Sequence, residues 1–137
     1  MPKLEYFVVC ESVSVDQETN RVSLFNVVDE LSVGTDIPAA PVVTQLVAVS
    51  SWNREPGDDG REFQAILRIQ RHQGESIELP VNFRMDRPRY RLVMRVQGIP
   101  PAQNAELVFE LLLNGHHVAS HSILIHVPVE SPLQSAS

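Results

Sequence analysis

The sequence predicts an all-β protein, a two-sheet antiparallel sandwich of about seven to nine strands with an immunoglobulin-like architecture. Short stretches in which apolar and polar residues alternate recur along the whole chain, and this period is typical of half-buried strands. Turn-forming residues separate these stretches at intervals of roughly 10–15 residues, and no long window has helical spacing. The 137 residues suit one domain, which we expect at residues 1–127, with a flexible tail at 128–137.

The first three predicted strands are rich in β-branched and aromatic residues, which favour strands. Residues 4–15 form the first, and the second returns over 21–33 after a polar turn. This second strand is apolar on both faces, so it should be covered on both or lie against a partner. A loop with two prolines at 34–41 leads to the third strand, residues 42–52, which ends at the only tryptophan.

Alternation is clearer in the second half of the chain, where two local signals add detail. Strands are predicted at 62–70, 76–86, 89–97, 106–113 and 117–127. Pro80 has no backbone N–H to give to a neighbouring strand, so its strand should lie at a sheet edge. Asn114-Gly115 predicts a type I′ hairpin, in which both central residues have positive φ.

Two hairpin motifs carry a resemblance to a known family. The first joins L-E-Y-F-V-V-C-E-S-V-S-V-D (4–16) to N-R-V-S-L-F-N-V (20–27), and the second is L-V-F-E-L-L-L-N-G (107–115). The chain resembles an uncharacterised family of small all-β bacterial proteins with an N-terminal Y-F-x-x-C-E hairpin. The resemblance covers most of residues 4–127. It implies a fold and offers no activity, cofactor or catalytic residue.

Composition and charge favour some classes of protein over others. Net charge is −6, and apolar residues make up 43% of the chain. An acidic chain is poorly suited to general binding of nucleic-acid backbones. No apolar stretch approaches the length of a membrane span, and we see no signal peptide. Cys10 is the single cysteine, so no intramolecular disulfide can form. We therefore expect a cytoplasmic protein, and the resemblance implies a bacterial one.

Arginines cluster in the middle of the chain. Eight of the eleven basic residues lie within 61–95, whereas residues 1–40 contain seven acidic and two basic residues. Arginine suits planar recognition of carboxylate and phosphate groups. We expect a docking face for an acidic protein or a second copy, formed by Arg89, Arg91 and Arg95 on one strand and Arg84 on its neighbour. The alternative is cross-strand pairing of the arginines with Glu62, Glu78 and Asp86.

Two groups of side chains are weaker candidates for metal or ligand binding. His117 and His121, in the His-rich C-terminal hairpin, should share a strand face, but solvated histidines would look the same in the sequence. The acidic loop 55–60 offers carboxylate oxygens, but it lacks the spacing of a calcium loop. We expect no cofactor and no bound metal.

The sequence contains no recognisable catalytic constellation. There is no G-x-S-x-G motif and no glycine-rich phosphate loop. Cys10 lies among valines, where a small buried side chain is the simpler interpretation. An exposed apolar face could come from residues 21–29 together with Val108 and Leu112. We therefore expect a non-enzymatic interaction or assembly module that could form a homodimer, with a metal- or ligand-binding sandwich as the alternative.

Overall fold

The computed structural model describes residues 1–32, 45–71, 76–97 and 106–126. Within these segments the chain forms nine strands in two sheets of four and five, which confirms the predicted two-sheet sandwich. No helix in these segments is long and apolar enough to cross a membrane. The predicted loop at 34–41 and tail at 128–137 lie outside the described residues. The strands are β1 (Lys3–Val15), β2 (Val22–Val27), β3 (Glu30–Ser32), β4 (Leu46–Asn53), β5 (Glu62–Arg71), β6 (Ser76–Arg84), β7 (Arg89–Val96), β8 (Glu106–Leu113) and β9 (His116–His126).

The strand order gives the sandwich four edge strands, β2 and β7 in one sheet and β3 and β6 in the other. The four-stranded sheet has the order β2-β1-β4-β7, and the five-stranded sheet has the order β3-β9-β8-β5-β6. Each neighbouring pair is antiparallel except β3 and β9, which run parallel. The prediction of purely antiparallel sheets is therefore wrong for that one pair. Consecutive strands β6 and β7 lie at the edges of different sheets, so the chain between them crosses the sandwich.

The predicted strand at 21–33 is in fact two strands in two sheets. β2 pairs with β1, whereas β3 pairs with β9. The break falls at Val28, which is buried and whose N–H donates to the carbonyl of Val9 at 3.0 Å. Asp29 then accepts a bond from the N–H of Leu124 at 2.9 Å in the other sheet. Continuous apolar composition could not reveal this crossing, because both halves favour strand equally.

The core between the sheets consists of the apolar residues that alternate with polar residues along the strands. Phe109, Leu67 and Ile123 are fully or almost fully inaccessible to solvent, and they belong to one large cluster. A second cluster contains Trp52, Phe63, Phe83 and Leu111. Phe7 and Val81 pack against both clusters, so the two are continuous across the sandwich.

Both local signals of the second half are confirmed. β6 lies at the edge of the five-stranded sheet and pairs only with β5, where Pro80 stands opposite Ile66. Asn114 and Gly115 have φ values of 47° and 84°, as a type I′ turn requires. The Asn114 side chain also accepts a hydrogen bond from the Gln64 N–H at 2.9 Å, which ties the hairpin to β5.

The four-stranded sheet is apolar on its outer face as well, and a hairpin covers it there. Cys10, Val47 and Val49 are buried in a third cluster, against which Val13 of β1 and Leu24 of β2 pack. Val13 and Leu24 are paired, so the second half of β1 and β2 form a lid on this face. This arrangement confirms that Cys10 is a buried small side chain.

The predicted exposed apolar face is present only in part. Phe25 and Val27 of β2 are 49% and 50% exposed, in agreement with the prediction for residues 21–29. Leu112 is only 6% exposed and Val108 is half-buried, so that part of the prediction is wrong. Leu112 lies at a β-bulge between β8 and β9, where the regular alternation is interrupted.

Candidate functional site

The chain between β6 and β7 is held in place by its backbone. Met85 is fully buried, its N–H donates to the carbonyl of Arg61 at 3.1 Å, and its carbonyl accepts from Gly60 at 3.0 Å. At the other end of the crossing, the carbonyl of Pro88 accepts from the Arg54 N–H at 2.8 Å. The exposed residues on either side of Met85 are therefore presented from a fixed support.

An arginine-rich hollow lies at this crossing. Its volume is about 410 Å³. Its lining contains four guanidinium groups and one carboxylate, and we call it the arginine hollow. The lining residues are Asn20, Arg84, Asp86, Arg87, Arg89, Tyr90 and Arg91.

Two of the four arginines are held by the protein itself. Arg89 forms an ion pair with Glu5 at 3.0 Å and also donates to the Asn53 side chain at 3.2 Å. The Nη2 group of Arg91 donates to the carbonyl of Asn20 at 3.0 Å. Because Asn20 lies in the turn between β1 and β2, this bond connects the tip of the lid to β7.

The other two arginines have no acidic partner in the described part of the chain. Arg84 stands opposite Glu62 in the register of β5 and β6, but the two form no ion pair. Arg87 is exposed and likewise forms no ion pair with a described residue. The alternative of cross-strand pairing holds for Arg68, whose Nε lies 3.0 Å from Glu78. Arg91 has no acidic partner among the described residues either, because its bond is to a carbonyl. The hollow therefore has three guanidinium groups that no described carboxylate neutralises, and of these Arg84 and Arg87 are not held by the protein itself.

An aromatic wall supports the hollow. Tyr90 is half-buried and stacks on Phe83, with ring centroids 5.1 Å apart. Phe83 in turn lies 5.9 Å from Trp52 and 6.0 Å from Phe63. These contacts fix β6 against β7 across the gap between the sheets, so the backbone beneath the arginines is well packed.

The structure corrects the predicted docking face. Arg84 does not lie on a strand beside Arg89 and Arg91 in one sheet, because β6 and β7 belong to different sheets. The three still meet, since the crossing brings both strand ends to one corner. Arg95 is exposed but lies outside the lining, four residues further along β7, or roughly 13 Å away.

Four lining residues were not among the predicted site residues, and one of them, Asp86, had been named only as a possible cross-strand partner of the arginines. Arg87 was visible as part of the arginine enrichment, and its position beside Pro88 indicates a turn next to two arginine-bearing strands. The alternation within 89–97 predicts that Tyr90 faces the core, and its half-burial is compatible with both a core and a lining position. No sequence pattern indicates Asn20 as a lining residue, because only the folded lid brings it next to Arg91.

The two candidate histidines do not converge. In the register of β8 and β9, His121 stands opposite the buried Phe109, whereas His117 stands opposite Leu112. The bulge between Leu111 and Leu112 offsets the alternation, so the prediction that they share a face is wrong. His121 lies 2.7 Å from the carbonyl of Val28, and His117 lies 3.9 Å from Glu110. Among the described residues, no group of three or more His, Cys, Asp or Glu side chains could hold a metal ion.

Two of the three carboxylates of the acidic loop 55–60, those of Asp58 and Asp59, are used within the protein. Asp58 is only 2% exposed, and it accepts a hydrogen bond from the Glu55 N–H at 3.0 Å. Its other oxygen lies 3.3 Å from the amino group of Met1. Asp59 forms an ion pair with Arg54 at 2.9 Å. These contacts make the loop a structural turn rather than a set of free ligands.

No family model and no curated protein matches the chain. The resemblance to a bacterial family therefore stays a prediction, and the functional argument rests on the geometry of the arginine hollow.

Proposed function

We propose that the protein is a non-enzymatic interaction module that binds an acidic protein segment in the arginine hollow. The observation that carries this proposal is that Arg84 and Arg87 form no ion pair with a described residue and line a hollow with four guanidinium groups and one carboxylate. Guanidinium groups bind carboxylates through paired hydrogen bonds and are weakly hydrated for their charge. The described lining residues offer guanidinium, amide and phenol groups that recognise an anion.

The rest of the proposal concerns the class of fold and the compartment. An immunoglobulin-like assignment is supported by the five-stranded sheet, in which β9, β8, β5 and β6 follow the G-F-C-C′ order of such domains. The opposing β4 and β7 then take the places of strands B and E. We place the protein in a bacterial cytoplasm: the free thiol of its single cysteine suits a reducing compartment, and the bacterial origin is what the resemblance implies.

A labelled acidic peptide tests the proposal directly. We expect a fluorescein-labelled decaglutamate peptide to bind the protein, as measured by fluorescence anisotropy, and to bind more weakly as salt rises. Arg84→Glu should raise the Kd by about tenfold or more, because it removes a charge-assisted contact and adds a repulsion. Arg95→Glu is the matched control, since it makes the same charge change on an exposed residue outside the hollow.

The two variants separate a local site from a general charge effect. Arg95→Glu should leave the Kd within about twofold of the parent value. Equal weakening by both variants, or no binding of the peptide to the parent protein, would overturn the proposal.

A further inference from the structure

We infer that the acidic segment bound in the arginine hollow comes from a second copy of this chain. The segment is a patch on and next to the lid, in which the exposed apolar Phe25 and Val27 of β2 are accompanied by Glu11 of β1 and by Asp29, which follows β2 in the chain. We call it the lid patch. The inference rests on the proposed function, because it names the partner of the same hollow.

The lid patch combines apolar area with negative charge. Phe25 and Val27 are among the most exposed large apolar side chains of the described residues. Between them stands Asn26, whose side chain donates to Glu11 at 3.0 Å. Asp29 follows two residues after Val27, and its side chain is 83% exposed. Apolar groups of this size on a surface are a common mark of an interface when charges surround them.

The two surfaces have opposite charge. Residues 1–32, which include the lid, contain six acidic and two basic residues. The arginine hollow has four basic residues and one acidic residue. The chain as a whole carries −6, which opposes association, but screening limits each charge to a range of about 10 Å at 0.1 M salt. The contact between lid patch and hollow is then governed by the charges that meet in it.

The strand order sets how the copies are arranged. The lid patch lies on and next to β2, and the hollow lies beside β7, and these are the two edge strands of one sheet. A contact between two different surfaces is heterologous, so two copies joined by one such contact still have one free lid patch and one free hollow between them. Edge strands also leave backbone N–H and C=O groups unpaired, which a neighbouring strand can satisfy. The association should therefore continue beyond a dimer.

Sedimentation velocity and light scattering test this inference. We expect the mean mass of the parent protein to exceed that of a dimer as concentration rises in about 0.05 M salt, and to fall to the monomer mass in about 0.5 M salt. Phe25→Thr should lower the extent of association, whereas Val118→Thr, at a residue 37% exposed on β9, should leave it unchanged. A mass that stays monomeric at every concentration, or a stable dimer indifferent to salt, would overturn the inference.

Mixing two charge-reversed variants gives the sharper test. Arg84→Glu disables the hollow and leaves the lid patch intact, whereas Glu11→Lys with Asp29→Lys disables the lid patch and leaves the hollow intact. Each variant alone should stay monomeric, and an equimolar mixture should give a one-to-one dimer that grows no further. Circular dichroism checks that each variant is folded. If the Glu11→Lys, Asp29→Lys variant does not fold, Phe25→Thr replaces it as the variant with a weakened lid patch. A mixture that stays monomeric would count against the inference.

The mixing experiment can disprove self-association without disproving that the hollow binds an acidic segment. If decaglutamate binds the hollow and the mixture stays monomeric, then the hollow binds a foreign acidic partner. If decaglutamate does not bind but the chains associate, then the association uses a different surface and both proposals are wrong.

Discussion

The side chain of Asp16 organises the turn that carries Asn20 to the arginine hollow. Its Oδ1 accepts hydrogen bonds from the N–H groups of Glu18 at 2.8 Å and Thr19 at 3.1 Å. The backbone of Asp16 bonds to Arg21 and Asn20 on the other side of the turn. The N–H of Thr19, and then that of Glu18, favour the carboxylate and hold the pKa of Asp16 below its ordinary value.

Asp16→Asn should destabilise the protein in a pH-dependent way. A carboxyl group whose pKa is lower in the folded state stabilises that state at a pH above its unfolded value, and the contribution is lost as pH falls through the folded value. The difference in unfolding free energy between parent and variant should thus be largest near neutral pH and shrink in acid. Urea unfolding at a series of pH values measures it. Glu18→Gln, which removes a carboxylate from the same turn, is the control, and equal behaviour of both variants would contradict this role.

Single-residue features were predictable from the sequence when the constraint was local. Pro80 marks an edge strand and Asn114-Gly115 marks a turn because each restricts its own backbone. Asn26 also has positive φ, at 56°, but it stands within a strand-like stretch, where the sequence gives no turn signal. The contact of Asn20 with Arg91 spans 71 residues, so no local pattern could indicate it.

At the scale of elements, the lid formed by the β1–β2 hairpin decides which surfaces of the four-stranded sheet reach solvent. Alternation predicted where most strands lie, since it depends only on which side chains face the core. It does not assign strands to sheets, and for that reason it predicts a single strand over 21–33. The lid could not be predicted without that assignment, because it exists only if β2 covers the outer face while β3 joins the other sheet.

The reactivity of the Cys10 thiol measures how often the lid opens. The thiol is buried beneath Leu24, and burial raises its pKa, so it should react slowly with Ellman's reagent in the folded protein. Leu24→Ala removes apolar contact between lid and sheet and should speed the reaction by about tenfold through more frequent local opening. Phe25→Ala is the matched control, because it shortens the neighbouring side chain, which is exposed. If both variants react at the parent rate, Leu24 does not hold the lid down.

At the scale of the whole molecule, the candidate site depends on where chain segments meet. The enrichment of arginine at 61–95 is visible in the sequence, and three of its members, Arg84, Arg89 and Arg91, line the hollow. The shape of that surface was not visible, since it forms at the corner where the chain passes from one sheet to the other. Arg95 shares the charge and the strand but not the corner, and sequence pattern alone could not separate it from the others.

The continuity of the core predicts that the two sheets unfold together. Phe109 is fully buried in the first cluster, whereas Trp52 lies in the second, and Phe7 and Val81 contact both. Phe109→Ala should lower the free energy of unfolding by about 3–5 kcal/mol, because it removes a large side chain that the core cannot replace.

The fluorescence of Trp52 tests this continuity, since it reports on a cluster that does not contain the mutated residue. If the sandwich is one cooperative unit, the urea midpoint seen by Trp52 fluorescence should fall by the same amount as the midpoint seen by far-UV circular dichroism. Phe25→Ala, at a residue 49% exposed, should move neither signal by more than a small amount. A Trp52 transition that stays at the parent midpoint while the circular dichroism shifts would mean that the two clusters unfold separately. The aromatic wall behind the arginine hollow could then persist after the opposite end of the sandwich has opened.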